Sequence, residues 1–370
     1  MKPLKVIISG GGTGGHIFPA ISIANALKEK HSDIEILFVG ALGRMEMEKV
    51  PAAGYKIEGL NISGLSRKLS FQLISFPFKV IGSVMKARSI IKKFKPDVVV
   101  GVGGYASGPL LYAATGMGVP ALIQEQNSYP GITNKMLAKR VEKICVAYNG
   151  MEKFFPKEKI ILTGNPVRQD ILDVEGKKEK GLEYFNLDKT KQTVLVIGGS
   201  LGARTVNQAI TNAVPLLAEK NIQLVWQTGK AYKATADETV ANYKEKGITA
   251  HDFITKMDYA YAVADIVVSR AGASSVSELC IVKKASILIP SPNVAEDHQT
   301  KNAMALVNNH AAILVKDVDA REQLGKQIIS LITDKEQKEK LENNISKLAL
   351  TSAANVIANE ITAIANKARK

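Results

Sequence analysis

The sequence Ser9-Gly10-Gly11-Gly12-Thr13-Gly14-Gly15-His16 lies between a short apolar, β-branched run at residues 4–8 and a helical pattern at residues 17–27. This order predicts that the glycines form the turn between a β-strand and a helix. In such a turn, backbone N–H groups and the helix dipole attract an anion. Glycine suits the turn because it tolerates positive φ and lets phosphate oxygens approach the backbone.

The same pattern of apolar run and glycine-rich turn occurs twice more. It occurs at 98–109 (VVVGVGGYASGP) and at 194–204 (VLVIGGSLGAR). Three such turns suggest a protein that handles more than one phosphate-bearing molecule. Tight packing of a helix on a sheet is the alternative explanation for any single turn.

Two common nucleotide motifs are missing from the first turn. Its spacing departs from G-x-G-x-x-G, and no acidic residue closes a second strand about twenty residues later, which disfavours dinucleotide binding. No G-K-[ST] follows, which excludes a P-loop. The first turn can therefore still bind a diphosphate group, in a protein that uses neither a nicotinamide cofactor nor a P-loop mechanism.

The length and composition indicate a two-domain protein. A chain of 370 residues is long enough for two domains with separate cores. The two cysteines, Cys145 and Cys280, are far apart and lack the spacing of a zinc site or a disulfide scaffold. We expect no signal peptide before the first strand and no bilayer-spanning segment, since no apolar run reaches about 18 residues. These features favour the cytoplasm.

The net charge of +14 is concentrated in the first half of the chain. Residues 1–165 hold 22 Lys and Arg against 11 Asp and Glu, whereas residues 166–370 hold 27 against 24. The stretch 67–95 has eight basic residues and no acidic one. Its basic and apolar side chains predict a membrane-surface segment, with Arg67, Lys68, Phe71, Ile74, Phe78, Lys92, Lys93 and Lys95 as candidate contacts.

Two alternatives remain for this basic stretch. One is an amphipathic helix with a solvated basic face. The other is nucleic-acid binding, which we disfavour because no recognition motif for DNA or RNA is visible. Pro77 is expected to start or kink a helix here.

Strand-like and helical stretches alternate throughout, which predicts parallel α/β sheets. We expect strands near 4–9, 34–39, 97–102, 119–123, 143–147 and 159–163, and near 193–198, 222–228, 248–253, 265–269, 285–289 and 311–315. Both halves open with strand, glycine turn and helix, so we predict two doubly wound, Rossmann-like domains facing across a cleft. The boundary is predicted at 164–168, giving domains of 1–165, with the C-terminal helix at about 352–370, and 166–351.

Eight short motifs follow one another along the chain. They are 11–16, 103–109, Glu125-Gln126-Asn127, 164–168, 198–204, Phe253-Ile254-x-x-Met257, Ser274-x-x-Ser277-Glu278 and 298–303. In this order and spacing the set resembles the MurG family of glycosyltransferases over nearly the whole chain. One departure is visible, because Gln124 stands where the family usually has histidine before Glu-Gln-Asn. A proton-transfer role of that histidine therefore cannot be carried over.

The resemblance implies an inverting GT-B enzyme of peptidoglycan synthesis at the cytoplasmic face of the bacterial plasma membrane, as a peripheral protein. It would move GlcNAc from UDP-GlcNAc to the C4 hydroxyl of MurNAc in undecaprenyl-pyrophosphoryl-MurNAc-pentapeptide, forming a β-1,4 bond. Other hypotheses are a diacylglycerol-directed GT-B transferase, a UDP-sugar epimerase and a non-catalytic membrane adaptor. We expect no cofactor and no metal, since no visible motif requires a divalent ion, although such an ion could stimulate activity.

The resemblance also implies a donor site, mainly in the second domain. Glu278 would accept hydrogen bonds from both ribose hydroxyls, with helix capping as its alternative role. Ile254 would pair with uracil through its backbone between Phe253 and Met257, whose spacing core packing also explains. The remaining implied donor residues are Ser200 and Arg168 at the phosphates, His298, Gln299 and Asn302 at the sugar, and Thr13, Gly14, Gly15 and Asn127. Solvated polar residues at a helix N-terminus are the alternative for positions 298–302.

The acceptor would be held by the first domain. Its pyrophosphate would lie on two turns, through Gly12, Thr13, Gly14, Gly15, Gly103, Gly104, Tyr105 and Ser107. Inversion requires a base for the proton of the attacking hydroxyl. We favour His16, whose alternative role is to orient the loop or contact phosphate, over Glu125, whose alternative role is structural.

Overall fold

The computed structural model describes residues 2–63 and 71–369. Contacts divide the chain into two compact units. The first comprises Met1–Arg168 and Thr351–Lys370, and the second comprises Gln169–Leu350. This division lies a few residues after the boundary that the sequence predicts.

The first unit is built on a seven-stranded parallel sheet. Its strands are β1 (Lys5–Gly10), β2 (Glu35–Ala41), β3 (Lys56–Leu60), β4 (Val98–Gly103), β5 (Ala121–Glu125), β6 (Lys143–Val146) and β7 (Ile160–Leu162). They lie in the order β3-β2-β1-β4-β5-β6-β7, and every neighbouring pair is parallel. The order reverses between β1 and β4, and this switch point is where open α/β sheets bind ligands.

Helices cover both faces of this sheet. They are α1 (Gly14–Lys30), α2 (Glu46–Ala52), α3 (Phe71–Phe94), α4 (Ser107–Gly116), α5 (Ile132–Leu137) and the last helix of the chain, α15 (Ala353–Ala368), with short 3-10 turns at Met151–Lys153 and Lys157–Lys159. Neighbouring residues of β1 point to opposite faces of the sheet. Val6 and Ile8 pack with α1 and α15 on one face, and Ile7 packs with α3 and α4 on the other. Pro77 lies inside α3 rather than at its start.

The second unit repeats this plan with six strands. They are β8 (Thr193–Ile197), β9 (Gln223–Gln227), β10 (Ile248–His251), β11 (Ile266–Ser269), β12 (Ser286–Leu288) and β13 (Ile313–Leu314), in the parallel order β10-β9-β8-β11-β12-β13. The switch point lies between β8 and β11. Trp226 of β9 is fully buried within the core of this unit, where its indole N–H donates to Asn207 at 3.1 Å.

Nine α-helices are described in the second unit. They are α6 (Gln169–Leu172), α7 (Lys178–Phe185), α8 (Arg204–Glu219), α9 (Lys233–Val240), α10 (Met257–Val263), α11 (Ala273–Val282), α12 (His298–Val307), α13 (Ala320–Thr333) and α14 (Lys335–Ser346). Short 3-10 segments lie at Lys230–Tyr232, Ala241–Lys246, Ala295–Asp297 and Asp317–Asp319.

The twelve predicted strands are confirmed, but β3 was not predicted. Its sequence, Lys-Ile-Glu-Gly-Leu, contains two charged residues and a glycine, so it lacks the apolar run used to recognise the others. A strand at the edge of a sheet tolerates such a composition, because one side of it is not covered by another strand. The tandem doubly wound architecture is confirmed in both units.

Candidate functional site

The first two glycine turns meet at the switch point of the first unit. β1 ends at Gly10 and β4 ends at Gly103, and the Gly11 N–H donates to the Gly103 carbonyl at 3.3 Å. Gly104 has a φ of +90°, and a Cβ there would lie 2.4 Å from the Gly11 oxygen. These glycines are therefore required for the two turns to pack backbone against backbone.

The predicted phosphate-binding amides lie at the start of α1. Thr13 is the exposed N-cap residue, and Gly14 and Gly15 form the first turn of the helix, where N–H groups have no partner within the helix. The 17-residue helix directs its positive end toward this turn. Gly12 differs from them, because its N–H donates to Glu46 Oε2 at 2.8 Å.

The second turn leads into α4. Tyr105 is exposed, and the Arg44 guanidinium lies 5.6 Å from the centre of its ring. Ser107, by contrast, is buried, and its Oγ makes no hydrogen bond to another described residue. Arg44 follows β2 and places a cation beside these turns. The sequence reasoning missed it because the turn at the end of β2, with Gly40 and Gly43, was not among the three glycine-rich turns that it considered.

His16 lies in the first turn of α1 with its ring against the second glycine turn. Its Nδ1 is 3.0 Å from the Gly11 carbonyl oxygen, and a Cβ at Gly103 would lie 2.8 Å from its Nε2. A carbonyl oxygen only accepts, so Nδ1 carries the proton of the neutral ring. The basic nitrogen is therefore Nε2, as a proton acceptor requires.

Glu125, the second candidate base, is almost fully buried at the end of β5. Its Oε1 accepts from the backbone N–H and the side-chain Nδ2 of Asn127, at 2.9 and 3.3 Å. Its Oε2 accepts from the Gly131 N–H at 3.1 Å and from Asn134 Nδ2 at 2.8 Å. Burial raises the pKa of this carboxyl group, and these hydrogen bonds oppose the rise. Four donors already engage the carboxyl group, which favours its structural role.

Gln124, the residue that departs from the family pattern, lies within a buried amide network. Its Nε2 donates to Asn165 Oδ1 at 2.9 Å, and its Oε1 accepts from Gln126 Nε2. Asn165 Nδ2 in turn donates to the Gln126 carbonyl at 3.0 Å. The network joins β5 to the segment leading into Arg168, which is half-buried and belongs to the first unit.

In the second unit, the third glycine turn lies between β8 and α8. Ser200 is exposed within it, and a Cβ at Gly202 would lie 2.0 Å from the Thr228 carbonyl oxygen. Gln227, at the end of β9, connects this turn to the predicted uracil-binding segment. Its Nε2 donates to the Gly199 carbonyl at 3.1 Å, and its Oε1 accepts from the Ile254 N–H at 2.9 Å.

The predicted uracil-binding residues differ in exposure. Ile254 is buried, Met257 is half-buried, and Phe253 is 47% exposed, so core packing does not account for all three. Because the Ile254 N–H is engaged by Gln227, its carbonyl is the backbone group that would accept from the N3–H of uracil. Gln227 was missed because it ends an apolar strand that carries no recognisable motif.

Glu278 is the sixth residue of α11, and the first turn of this helix contains no acidic residue. It therefore does not cap the helix. The hydroxyl of Tyr261, which is fully buried on α10, donates to its Oε2 at 2.9 Å. This hydrogen bond fixes the carboxyl group of Glu278, the residue that is predicted to bind the ribose.

The predicted sugar-binding residues lie at the start of α12. His298 is the first residue of the helix, after Glu296 and Asp297 in the left-handed region. Gln299 Oε1 accepts from the Ser291 N–H at 2.9 Å. Asn302 is fully buried, and its Nδ2 donates to the Ala271 carbonyl at 3.3 Å. Asn302 is therefore not a solvated polar residue at a helix N-terminus, which was the alternative for positions 298–302.

An Asp-x-Asp pattern that the sequence reasoning missed, Asp317-Val318-Asp319, lies before α13. Asp317 Oδ1 lies 2.6 Å from Arg270 Nη1, and its Oδ2 accepts from Thr205 Oγ1 at 3.0 Å. Its carboxylate is therefore paired with a protein cation. Within the described ranges, no group of three His, Cys, Asp or Glu side chains could hold a metal ion.

The basic segment is described only in part. Arg67 and Lys68 lie outside the described residues, as do the side chains of Phe71 and Ile74. Phe78, Ile81 and Met85 lie on α3 with exposed fractions of 73%, 57% and 66%, and Lys92, Lys93 and Lys95 are exposed near its end. Over residues 2–63 and 71–369, no helix is both long enough and apolar enough to span a bilayer.

Comparison with known proteins covers both units. Residues 6–146 match the glycosyltransferase family 28 N-terminal domain, and residues 193–360 match the glycosyltransferase family 28 C-terminal domain. The chain is 54% identical to a Parabacteroides distasonis protein over 99% of this chain and 100% of that protein, and 55% identical to a Phocaeicola vulgatus protein over 99% and 98%. Both are named UDP-N-acetylglucosamine–N-acetylmuramyl-(pentapeptide) pyrophosphoryl-undecaprenol N-acetylglucosamine transferase.

The crystal structure of Acinetobacter baumannii MurG superposes with a TM-score of 0.78 at 27% identity, over 98% of this chain and 100% of that one. The predicted GT-B fold class is thereby confirmed. With two family 28 domains and full-length relatives above 50% identity, the chain belongs to the MurG family of glycosyltransferase family 28.

Proposed function

We propose that this chain transfers GlcNAc from UDP-GlcNAc to the C4 hydroxyl of MurNAc in undecaprenyl-pyrophosphoryl-MurNAc-pentapeptide. The observation that carries the proposal is the 54% identity to a transferase of that name over both full lengths. The glycine turns at both switch points support it, since each suits a phosphate-bearing ligand. The product is the β-1,4-linked disaccharide lipid used in peptidoglycan synthesis.

The donor binds the second unit in this proposal. The carboxylate of Glu278, fixed by Tyr261, accepts from the ribose hydroxyls, and the Ile254 carbonyl accepts from uracil. Ser200 and the amides before α8 bind the diphosphate at the positive end of a 16-residue helix. These donors stabilise the charge that develops on departing UDP, so that neither a metal nor another cofactor is needed.

The acceptor binds the first unit. Thr13, Gly14 and Gly15 hold its pyrophosphate at the start of α1, and Arg44 adds a cation beside Tyr105. His16 Nε2 takes the proton of the C4 hydroxyl while that oxygen attacks the anomeric carbon and UDP leaves. The bond to UDP breaks as the new glycosidic bond forms on the opposite face, which inverts the anomeric carbon. The occupied carboxyl group of Glu125 instead holds the 127–131 loop.

We place the enzyme peripherally at the cytoplasmic face of the plasma membrane, with α3 as its contact. Phe78, Ile81 and Met85 follow one another at spacings of three and four, so they share one face of the helix. Lys92 lies seven residues, about two turns, after Met85 and continues this face. Apolar side chains would enter the interface while the lysines contact anionic headgroups. Such a surface is also where a polyprenyl acceptor is available.

The test is transfer from radiolabelled UDP-GlcNAc to two lipid acceptors in parallel, with a third reaction that contains no lipid. We expect labelled disaccharide lipid with undecaprenyl-pyrophosphoryl-MurNAc-pentapeptide, and UDP release that depends on it. Transfer to diacylglycerol but not to the MurNAc lipid would mean that diacylglycerol is the acceptor. Conversion of UDP-GlcNAc without any lipid would indicate an epimerase, and the absence of all turnover would indicate a non-catalytic role.

A further inference from the structure

Glu46 is a fully buried acidic residue without a role in the mechanism described so far. It begins α2, and its side chain has an exposed fraction of 0%. Its Oε1 accepts from the Ala41 N–H at 3.0 Å, and its Oε2 accepts from the Gly12 N–H at 2.8 Å. One oxygen is thus bound to the end of β2 and the other to the first glycine turn.

Glycine at two positions makes room for this carboxyl group. A Cβ at Gly11 would lie 2.2 Å from Glu46 Oε1, and a Cβ at Gly40 would lie 2.6 Å from Glu46 Cγ. The glycine at position 11 therefore accommodates a side chain of the protein itself. Burying a charged group is costly without hydrogen-bond partners, and here two backbone donors provide them.

A single peptide group connects Glu46 with His16. Its N–H, from Gly12, donates to Glu46 Oε2, and its carbonyl, from Gly11, lies 3.0 Å from His16 Nδ1 and accepts from it. The sequence of groups is carboxylate, peptide N–H, peptide carbonyl and imidazole. Hydrogen bonds in such a chain polarise one another, so the carboxylate makes the Gly11 carbonyl a stronger acceptor.

On the basis of the proposed role of His16 as the base, we propose that Glu46 is a positioning residue that acts on His16 through the Gly11–Gly12 peptide group. It fixes the proton on Nδ1 and so directs the basic Nε2 to the acceptor hydroxyl. When Nε2 takes the C4 proton, the ring becomes a cation with both nitrogens protonated. The negative charge of Glu46 stabilises this cation across the peptide, while the proton stays on Nε2.

Tyr105 and Arg44 are further titratable side chains beside this turn. The ring of Tyr105 would be 3.8 Å from a Cβ at Gly12, and Arg44 lies over that ring. Both are retained when Glu46 is replaced by glutamine. A change in His16 on this substitution therefore reports the lost charge and the altered hydrogen bond.

The experiment compares wild type with Glu46→Gln and with Glu35→Gln, which removes an exposed carboxylate from the first residue of β2. The chain contains five histidines, so 15N-histidine labelling gives few signals, and His16→Ala assigns the one of interest. The 15N shifts of each ring nitrogen report the tautomer and its titration. The pH profile of kcat/KM for the acceptor is measured on the same samples.

In wild type we expect the Nδ1-protonated tautomer. In Glu46→Gln the titration of His16 and the acid limb of the pH profile should both move down by about one unit. The value of kcat should fall about 10- to 100-fold because the ring loses its fixed orientation. The KM for UDP-GlcNAc should stay unchanged, and Glu35→Gln should behave like wild type.

An unchanged tautomer and titration in folded Glu46→Gln would overturn the inference and leave Glu46 as a brace between β2 and the turn. If Glu46→Gln does not fold, Glu46→Asp replaces it, and unaltered His16 signals there would have the same meaning. Wild-type protein that transfers no sugar would instead contradict the proposed function. The labelling experiment would still decide whether Glu46 controls the His16 ring.

Discussion

Glu125 and Glu278 differ in the groups that donate hydrogen bonds to their carboxyl oxygens. Glu125 accepts from two donors on each oxygen, all from residues 127–134, and Glu278 accepts on Oε2 from the Tyr261 hydroxyl. A carboxylate can accept about four hydrogen bonds. Glu125 is therefore saturated by its own loop.

Replacing His16 by alanine should lower kcat about 10²- to 10⁴-fold, because a positioned base contributes that much to proton transfer. The dissociation constant of UDP, measured by calorimetry, should stay the same, since the predicted uridine ligands lie in the other unit. His31→Ala is the matched control, as this ring only contacts Thr362 Oγ1 at 3.0 Å among the described bonds. Wild-type turnover in His16→Ala would remove the histidine from the mechanism.

Tyr261→Phe should raise the KM for UDP-GlcNAc about 3- to 10-fold, which corresponds to about 0.7–1.4 kcal/mol, the net contribution of one typical hydrogen bond. The carboxyl group of Glu278 then loses the donor that fixes its orientation. Tyr259→Phe, on the same helix, is the control. In the double variant with Glu278→Ala, the tyrosine change should have little further effect on donor KM. An equal effect in both backgrounds would show that Tyr261 acts elsewhere.

Among the site residues, those with a sequence motif could be placed and those without one could not. His16 and Ser200 belong to glycine turns, and their positions follow from the turn itself. Glu46 and Gln227 are buried polar residues that act through hydrogen bonds across neighbouring strands or loops. Sequence spacing carries no record of such partners, since three of the four bonds join residues 27 to 34 positions apart.

At the level of single elements, the glycine turns combine two functions. Gly14 and Gly15 open a helix N-terminus, as an anion site requires. Gly11, Gly103 and Gly104 instead permit close packing against Glu46, His16 and the neighbouring turn. Within one glycine turn, some positions therefore suit ligand binding and others serve packing.

The exposed face of α3 allows a test of membrane binding. Lys92, Lys93 and Lys95 changed together to glutamine should weaken binding to anionic vesicles about 100-fold, since three lysines at about 1 kcal/mol each contribute about 3 kcal/mol near such a surface. Phe78, Ile81 and Met85 changed to serine should weaken binding to the same vesicles. Cosedimentation at physiological salt measures both effects.

A charge-matched control is available in the second unit. Lys326, Lys335 and Lys340 are exposed, and their change to glutamine removes the same three charges from α13 and α14. We expect it to leave vesicle binding unaltered. Equal losses in the two triple variants would indicate a general effect of net charge, and no loss in the α3 variant would favour a solvated basic face.

At the scale of the whole molecule, the order of strand-like, glycine-rich and helical stretches along the sequence was sufficient to predict the repeated strand, turn and helix plan. Twelve strands were recognised by their apolar and β-branched residues, whereas the edge strand β3 was missed because it contains two charged residues and a glycine. The sequence analysis also assigned the C-terminal helix, at about 352–370, to the first domain. The contacts of Ile357 and Ile361 within the first core give its physical reason.

The end of this helix is attached by an ion pair between residues distant in sequence. Arg369 Nε and Nη2 donate to the two carboxyl oxygens of Asp97 at 2.9 and 2.7 Å, and the Lys5 N–H donates to Oδ2 at 2.8 Å. Burial acts to raise the pKa of Asp97, but the bonds and charge of Arg369 and the Lys5 N–H together lower it. A lowered pKa in the folded state stabilises the fold above the ordinary carboxyl pKa of about 4, and this stability is lost as the pH falls through the lowered value.

Asp97→Asn and Arg369→Ala should each lower the free energy of unfolding of the first unit by about 1–2 kcal/mol at pH 7, because a bidentate, partly buried pair is lost. Urea unfolding followed by circular dichroism measures this difference. Below pH 4 the difference between wild type and Asp97→Asn should shrink, since the wild-type carboxylate is then protonated as well. Asp237→Asn, which removes an exposed partner of Lys233, should cost only a few tenths of a kcal/mol at any pH. A difference for Asp97→Asn that persists unchanged into acid would mean that packing of the side chain, rather than its charge, attaches the last helix.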